Sequence, residues 1–512
     1  MITIKNALLS VSNKTDLKIL VDVLSNAGVH LYATESTQSA IAKMGYTCEK
    51  VEKYTEFPPI LHGRVKTLHP KIFGGILGRS RIPSEVEENK QHQITKFDLV
   101  CVNLYPFSQN TSPQTPLEEK LDLIDIGGVS LLRASGKNYL ECVTLSDPSQ
   151  YSSFVDEFTQ QNGSISDEFS TKCMVQSFLH TSMYDAHIAQ TFSDESIQPL
   201  FLQKNLALRY GENPHQKAGF FSLLSNAYQQ PSLPLGCEKR HGKSLSYNNL
   251  IDVSQGLDLL NEYGKDLPAC IILKHTNPCG AAVAHDIQTA YTKAYQCDPV
   301  SAFGGVFIFN QEITIPIAEH IQSIFVDVVC APSYSKEAFA ILTKKKNIRL
   351  LEHKIYDSLP YHLRDASNGI LIQDKDQEVV KQMEVVCGNP LSTKEQKDLL
   401  FGMKTLKYVK SNAILLCNNL HVLGIGGGQP NRIDSCRIAL SHAKERFPHE
   451  LSGSMLCSDA FFPFPDSIQE AADYGVRIVV EPGGSINDKK VIEEARKQGI
   501  TLVFTGQRHF LH

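Results

Sequence analysis

The chain has 512 residues, of which 42% are hydrophobic and 21% charged, and a formal net charge of −5. That length exceeds one compact core and predicts about two to four domains. The acidic balance speaks against a general nucleic-acid binder, and no apolar run is long enough to span a bilayer, so neither nucleic acid nor membrane is an expected partner.

The thirteen cysteines run from Cys48 to Cys457 without a CxxC pair. This excludes a zinc ribbon and a disulfide scaffold and predicts reduced thiols. The first residues lack the apolar stretch of a signal peptide, so the expected location is the cytoplasm.

Asn6–Val11 reads as a strand and residues 12–15 as a turn rich in N-cap types. A helix follows, with Leu17, Leu20, Val21 and Leu24 on one face and Gly28 as its stop. Residues 29–33 form a second strand, and Thr34-Glu35-Ser36-Thr37 opens a helix ending at Gly45. Alternating strand and helix predicts a parallel sheet with ligands beyond the strand C-termini. Ser12–Lys14 and Thr34–Thr37 fall at such ends, where hydroxyls, a lysine and free helix amides suit a phosphate. Ordinary helix capping uses the same residue types.

Residues 62–70 (HGRVKTLHP) read as a loop presenting cations. Residues 99–104 give a buried strand, followed by Tyr105 and by Ile124-Asp125-Ile126-Gly127-Gly128 ahead of a helix from Val129 that carries Arg133 and Lys137. A Gly-Gly pair lets backbone amides approach a ligand closely. Asp125 near Lys137 is expected to form an acid/base pair; otherwise it is the N-terminal charge of that helix.

The polar residues 193–200, with Pro199, read as a linker. Beyond it, the apolar residues 269–273 form a strand that delivers Lys274 and His275 side by side. Pro278 and Gly280 are expected to turn the chain there. A cation beside an imidazole at a strand end suits proton transfer with electrostatic assistance; a solvated lysine and a turn histidine are the plainer alternative. Rival motifs fail on spacing. Residues 236–244 carry one residue too many for a P-loop, Gln429 replaces the last glycine of a dinucleotide fingerprint, and Ala282 stands where a zinc deaminase has its second cysteine.

SVSNKT, GRVKTLHPKIFGGIL, NLYPF and IDIGGVSLLRASGKN occur in that order. They are followed by RYGENPHQ, SLSYNNLIDV, KHTNPCGAA, DPVSAFGGVF, KSNAI, GIGGGQPNRID, SDAFFPFPD, EPGGSINDK and FTGQRHFLH. Over nearly the whole chain this resembles the family of bifunctional phosphoribosylaminoimidazolecarboxamide (AICAR) formyltransferase/IMP cyclohydrolases of purine biosynthesis. The resemblance implies an α/β chain: a methylglyoxal-synthase-like parallel-sheet domain over residues 1–197, then a larger transformylase domain of two cytidine-deaminase-like halves over 198–512. It also implies a homodimer whose transformylase sites take residues from both chains. AICAR, its formylated product FAICAR, IMP and reduced folate would be the ligands. The cosubstrate would be 10-formyltetrahydrofolate, without a catalytic metal; whether a potassium ion binds is left open.

By the same resemblance Ser12, Lys14, Thr37, Arg64, Lys66, Thr67 and Gly127 hold the nucleotide, with Gly128 beside them. Lys66, Asn103, Tyr105, Asp125 and Lys137 serve ring closure. In the larger domain Lys274 and His275 carry the formyl transfer and Asn412 orients the formyl group or amine. Arg209, Arg432 and Arg508 clamp phosphate or carboxamide, Phe461 and Phe510 stack on the rings, and Asp466 bonds the pterin. Tyr210, His215 and Asn249 are further substrate-binding positions. Phe461 and Phe462 read equally well as core.

The chain departs from the family where Glu35 and Ser36 replace two glycines, and also before Lys14, where Asn13 replaces the usual Asp. Thr34 and Ser36 offer hydroxyls there instead. The alternative is a transformylase whose cyclohydrolase activity is lost or weakened; a non-catalytic nucleotide-binding regulator is the rival of a different class.

Overall fold

The computed structural model describes residues 1–193, 196–229, 233–354 and 359–512. Two compact units are formed. The first is Met1–Gln203 with a short segment beginning at Leu223; the second is Lys204–Ser222 with the chain continuing to His512. Residues 194 and 195 of the expected linker lie outside the described residues.

The first unit is built on a five-stranded parallel sheet in the order Glu49–Lys50, His30–Ala33, Asn6–Val11, Leu99–Asn103, Val143–Leu145. The helix Leu17–Asn26 buries Leu17, Leu20, Val21 and Leu24 completely, as their spacing requires. Every residue of Leu99–Asn103 is buried, which is why its first four residues read as an unbroken apolar run. With all strands parallel, Val11, Ala33, Asn103 and Leu145 end on one edge, and the loops after them share that edge.

The second unit contains a twelve-stranded mixed sheet made of two repeats. The first runs through strand Cys237–His241, helix Tyr247–Tyr263, the hairpin Ala269–Lys274 and Asn277–Val283, helix Ile287–Cys297, and strands Val306–Phe309, Val328–Ala331 and Arg349–His353. The second runs through strand Glu384–Cys387, helix Thr393–Leu406, the hairpin Ile414–Asn418 and His421–Gly426, helix Arg432–Arg446, and strands Met455–Ser458, Ile478–Glu481 and Thr501–Phe504. Parallel and antiparallel pairings alternate identically in both. The repeats join where Ala282 pairs with His421.

Local chemistry is repeated as well. Both first helices open with a capping box, Ser246 with Asn249 and Ser392 with Glu395. Both hairpins press a glycine onto the following helix: a Cβ on Gly280 would stand 1.9 Å from the Ala294 carbonyl oxygen, and one on Gly424 2.2 Å from that of Ala439.

The hairpin of the first repeat turns earlier than Pro278 and Gly280 suggest. His275 and Thr276, at φ 52° and 61°, form a two-residue turn, and the return strand Asn277–Val283 runs straight through both. A one-residue register shift between Ile272 and Leu273 absorbs the irregularity. On its other side this strand pairs at Ala282, beyond the proline, so the missing N–H breaks no ladder bond there.

Candidate functional site

In the first unit the loops after the parallel strands are tied together by Asn103. Its Oδ1 accepts from the Ser12 amide (2.6 Å), the Ser12 hydroxyl (3.0 Å) and the Asn13 amide (2.8 Å), while its Nδ2 donates to the Asn13 carbonyl (2.8 Å). With its side chain used this way, Asn103 shapes the site. Thr37 is buried and both accepts from the Val11 amide (3.1 Å) and donates to its carbonyl (3.2 Å). The buried Thr34 donates to Ser10 Oγ at 3.3 Å, and Ser36 is exposed. Lys14 donates to the Val11 and Ser12 carbonyls at 3.0 and 3.3 Å, and burial lowers its pKa. Glu35, the first residue of helix Glu35–Lys43, turns out to Lys50 at 3.3 Å, a placement that also favours the helix N-terminus.

Asp125 is the electrostatic centre of this cluster. Its Oδ1 accepts from the Gly128 amide at 2.7 Å, and its own amide donates to the Tyr184 hydroxyl at 2.8 Å. Burial raises its pKa, opposed by the Gly128 amide, by the Lys66 charge and by the Tyr105 backbone. Burial likewise pushes the Tyr184 phenol up to about 12. Both glycines are required by close approach. A Cβ on Gly127 would stand 2.7 Å from Thr67 Oγ1, and one on Gly128 2.5 Å from Asp125 Oδ2. The buried Thr67 thus lies against the start of helix Gly127–Lys137, while the Tyr105 side chain is largely exposed. Arg64, also exposed, pairs with Asp122 at 2.7 Å.

Lys137 is not beside Asp125. It ends the helix that begins just after Asp125, and ten steps of 1.5 Å put it about 15 Å along the axis. There it lines a separate cavity of about 860 Å³ with Lys71, Arg79 and Arg81. The expected acid/base pair is therefore not assembled by this arrangement of one chain.

In the second unit the His275–Thr276 turn is held by Asp252 of helix Tyr247–Tyr263, whose Oδ1 accepts the Thr276 amide at 2.6 Å. Burial raises the Asp252 pKa, and its opponents include the neighbouring charges of His275 and Lys274. Lys274 donates to the Phe303 carbonyl and lines a cavity of about 270 Å³ with Cys279, Asp298, Gln429, His442 and Arg446. Asn277 joins this turn to the loop before Asn412, accepting from the Lys410 amide at 3.1 Å. Asn412 donates to the Gln429 and Pro430 carbonyls (3.0 and 3.2 Å) and accepts from Arg432 (2.7 Å).

Arg432 is buried and pairs with the fully buried Asp459, which also accepts from the Ser411 hydroxyl at 2.6 Å. Ser411 and Leu511 exchange hydrogen bonds at 2.9 and 3.1 Å, and so bring in the segment bearing Arg508 and Phe510, where the guanidinium lies 4.5 Å from the ring centroid. Phe461 is exposed and Phe462 is core. Asp466 opens helix Asp466–Asp473 and accepts from the Ser467 amide at 2.8 Å. Arg209 stacks at 5.3 Å over Tyr210, whose carbonyl accepts from the Tyr247 amide; His215 is exposed. Asn249 is buried and donates to Asp327 at 2.6 Å, itself paired with Arg349 at 2.5 Å.

Sequence reading passed over Asp252, Asp327 and Asp459. Asp252 and Asp459 lie in recognisable motifs and Asp327 in none, and each has its partner distant along the chain. All thirteen cysteines are unpaired, and among the described residues no group of three or more His, Cys, Asp or Glu side chains is placed to hold a metal ion.

Two clusters, one in each unit, thus place cations beside titratable groups at strand ends. The family profile described as AICARFT/IMPCHase bienzyme matches residues 135–442, and that described as MGS-like domain matches residues 17–130. Proteins named bifunctional purine biosynthesis protein PurH from Persephonella marina and Streptococcus mutans are each 40% identical to this chain, over alignments covering 99% of it and 100% of each relative. The crystal structure of ForH aligns with 38% of this chain and 100% of its own, at 31% identity and a TM-score of 0.34. The chain belongs to the AICARFT/IMPCHase bienzyme family.

Proposed function

We propose that the two activities of this family are divided between the two units. The chain is a bifunctional enzyme of purine biosynthesis. It transfers a formyl group from a reduced folate to AICAR, giving FAICAR, and closes FAICAR to IMP with loss of water. Nothing among its relatives favours a transformylase that has lost cyclisation, and Glu35 is directed to Lys50. We place formyl transfer in the second unit, with 10-formyltetrahydrofolate as donor, and cyclisation in the first. The protein works as a homodimer in the cytoplasm.

The AICAR amine is a weak nucleophile because its lone pair is delocalised into the ring. As its nitrogen attacks the formyl carbon, His275 takes the amine proton, and Lys274 stabilises the oxyanion. The carbon–nitrogen bond to the folate then breaks, and the leaving nitrogen receives a proton. Asn412, held by Arg432, orients the reacting groups. The observation that supports this reading is the His275–Thr276 turn, which directly follows Lys274 and is joined through Asn277 to the Asn412 loop.

In cyclisation the carboxamide nitrogen attacks the formyl carbon of the same molecule, so positioning supplies much of the acceleration. Asp125, its pKa raised by burial, manages the amide proton, and Lys66 with the Gly127 and Gly128 amides stabilises the developing negative charge. Lys137 would act only from another chain or after a rearrangement.

The test is a pair of separate assays on purified protein. His275→Ala is expected to abolish AICAR formylation while FAICAR still closes to IMP, and full formylation by that variant would refute the assignment. Light scattering is expected to give a dimer; active protein that is wholly monomeric would refute the shared assembly.

A further inference from the structure

The two repeats allow a comparison within one chain. Asp252 is the sixth residue of helix Tyr247–Tyr263, and Asp398 is the sixth of helix Thr393–Leu406. Each reaches the two-residue turn of its own hairpin, His275–Thr276 in one repeat and Asn419–Leu420 in the other, and all four turn residues have positive φ. Asp398 is 5% exposed and spends both oxygens on the turn: Oδ2 accepts the Asn419 amide at 3.1 Å and Oδ1 the Leu420 amide at 2.7 Å. That is a purely structural clamp, since neither turn residue it holds is ionisable.

Asp252 departs from this pattern. Its Oδ1 takes the Thr276 amide at 2.6 Å, and Oδ2 makes no hydrogen bond among the described residues. The carboxylate is only partly buried, and the charged groups acting on it are His275 and Lys274 from the hairpin and Asp327 from the segment before strand Val328–Ala331. Asp327 is engaged by Arg349 and Asn249. One oxygen therefore holds the turn as Asp398 does, and the other is left without a hydrogen bond, on a carboxylate upon which the charges of His275 and Lys274 act.

We propose that Asp252 is a positioning residue for formyl transfer, holding the turn with one carboxylate oxygen and orienting the His275 imidazole with the other. This rests on the reading of His275 as the base. A carboxylate at that place favours one ring orientation and stabilises the imidazolium that forms as the amine proton arrives. The strained turn gains a function from it: positive φ at a histidine and at a β-branched threonine is unfavourable, and the carboxylate that anchors the turn does so at the amide next to His275.

The test uses full-length protein and four variants: Asp252→Asn, Asp252→Glu, Asp398→Asn and His275→Ala. Asparagine retains an oxygen for the Thr276 amide and removes only the charge. For Asp252→Asn, formylation kcat is expected to fall about ten- to a hundredfold, less than the roughly hundred- to ten-thousandfold that general base catalysis supplies because the base itself remains, with little change in the KM for AICAR. The acid limb of the rate profile should move to lower pH, because a neighbouring negative charge has been lost. Asp252→Glu keeps the charge and should return that limb towards the wild-type position. Asp398→Asn should lower the urea midpoint and leave the pH profile unmoved. Wild-type kcat and a wild-type pH profile in Asp252→Asn, with His275→Ala inactive, overturn the proposal alone. A fully active His275→Ala overturns it together with the reading beneath it. An Asp252→Glu profile identical to that of Asp252→Asn also overturns it.

Discussion

Gly128→Ala tests the cyclisation site with a single methyl group. Ordinary contact begins near 3.4 Å, whereas a Cβ at residue 128 would stand 2.5 Å from Asp125 Oδ2 and 2.9 Å from Leu104 Cδ2. Leu104 is core, so the carboxylate must retreat by about 0.9 Å, the shortfall of 2.5 Å from ordinary contact at 3.4 Å. That retreat strains the 2.7 Å hydrogen bond from the Gly128 amide. A misplacement of about 1 Å at a reacting group costs on the order of a hundredfold in rate. Overpacking of this kind costs about 1–3 kcal/mol of stability. Purified Gly128→Ala should therefore convert FAICAR to IMP about a hundredfold more slowly, while AICAR formylation on the same preparation is unchanged. Wild-type cyclisation by a folded variant would show that the position of Asp125 does not govern the chemistry.

Three further outcomes follow from burial. Glu481 is fully buried; its Oε2 accepts the Phe462 amide, Oε1 has no hydrogen-bond partner, and burial pushes its pKa up to about 8. Because the folded pKa lies above the unfolded one, its contribution is fully present below the ordinary glutamate pKa of about 4.3 and is lost as pH rises towards 8. Glu481→Gln should flatten that decline in urea midpoints measured across the interval, and an unchanged slope would refute it. Arg432→Met should cost about 3–5 kcal/mol by leaving the buried Asp459 charge unpaired, read by urea denaturation; loss of AICAR binding with wild-type stability would contradict this. Gly280→Ala, whose methyl would stand 1.9 Å from the Ala294 carbonyl oxygen, should lower stability by at least about 1–3 kcal/mol, and a wild-type midpoint would show that the hairpin and helix separate readily.

What the linear chain determined by itself was local. The 3.6-residue spacing of Leu17, Leu20, Val21 and Leu24 specified a buried helical face, and the alternation of strand and helix specified a parallel sheet in the first unit. Burial on one face or both is written into successive residues, so periodicity reports it. The ordered motifs pointed to the family that the full-length relatives establish.

Tertiary structure alone decided the rest, because it depends on groups distant in sequence. The turn falls at His275 and Thr276 rather than at Pro278, since Asp252 holds the Thr276 amide and the return strand carries Pro278 without losing a ladder bond. Arg432 is a buried partner of Asp459 and Asn412, a state that its composition-neutral surroundings in GGGQPNRID do not announce. Phe461 and Phe462 are adjacent and chemically identical, yet only the fold makes one surface and the other core. Asp125 and Lys137 share one motif, and the rise of a helix keeps them at opposite ends of it.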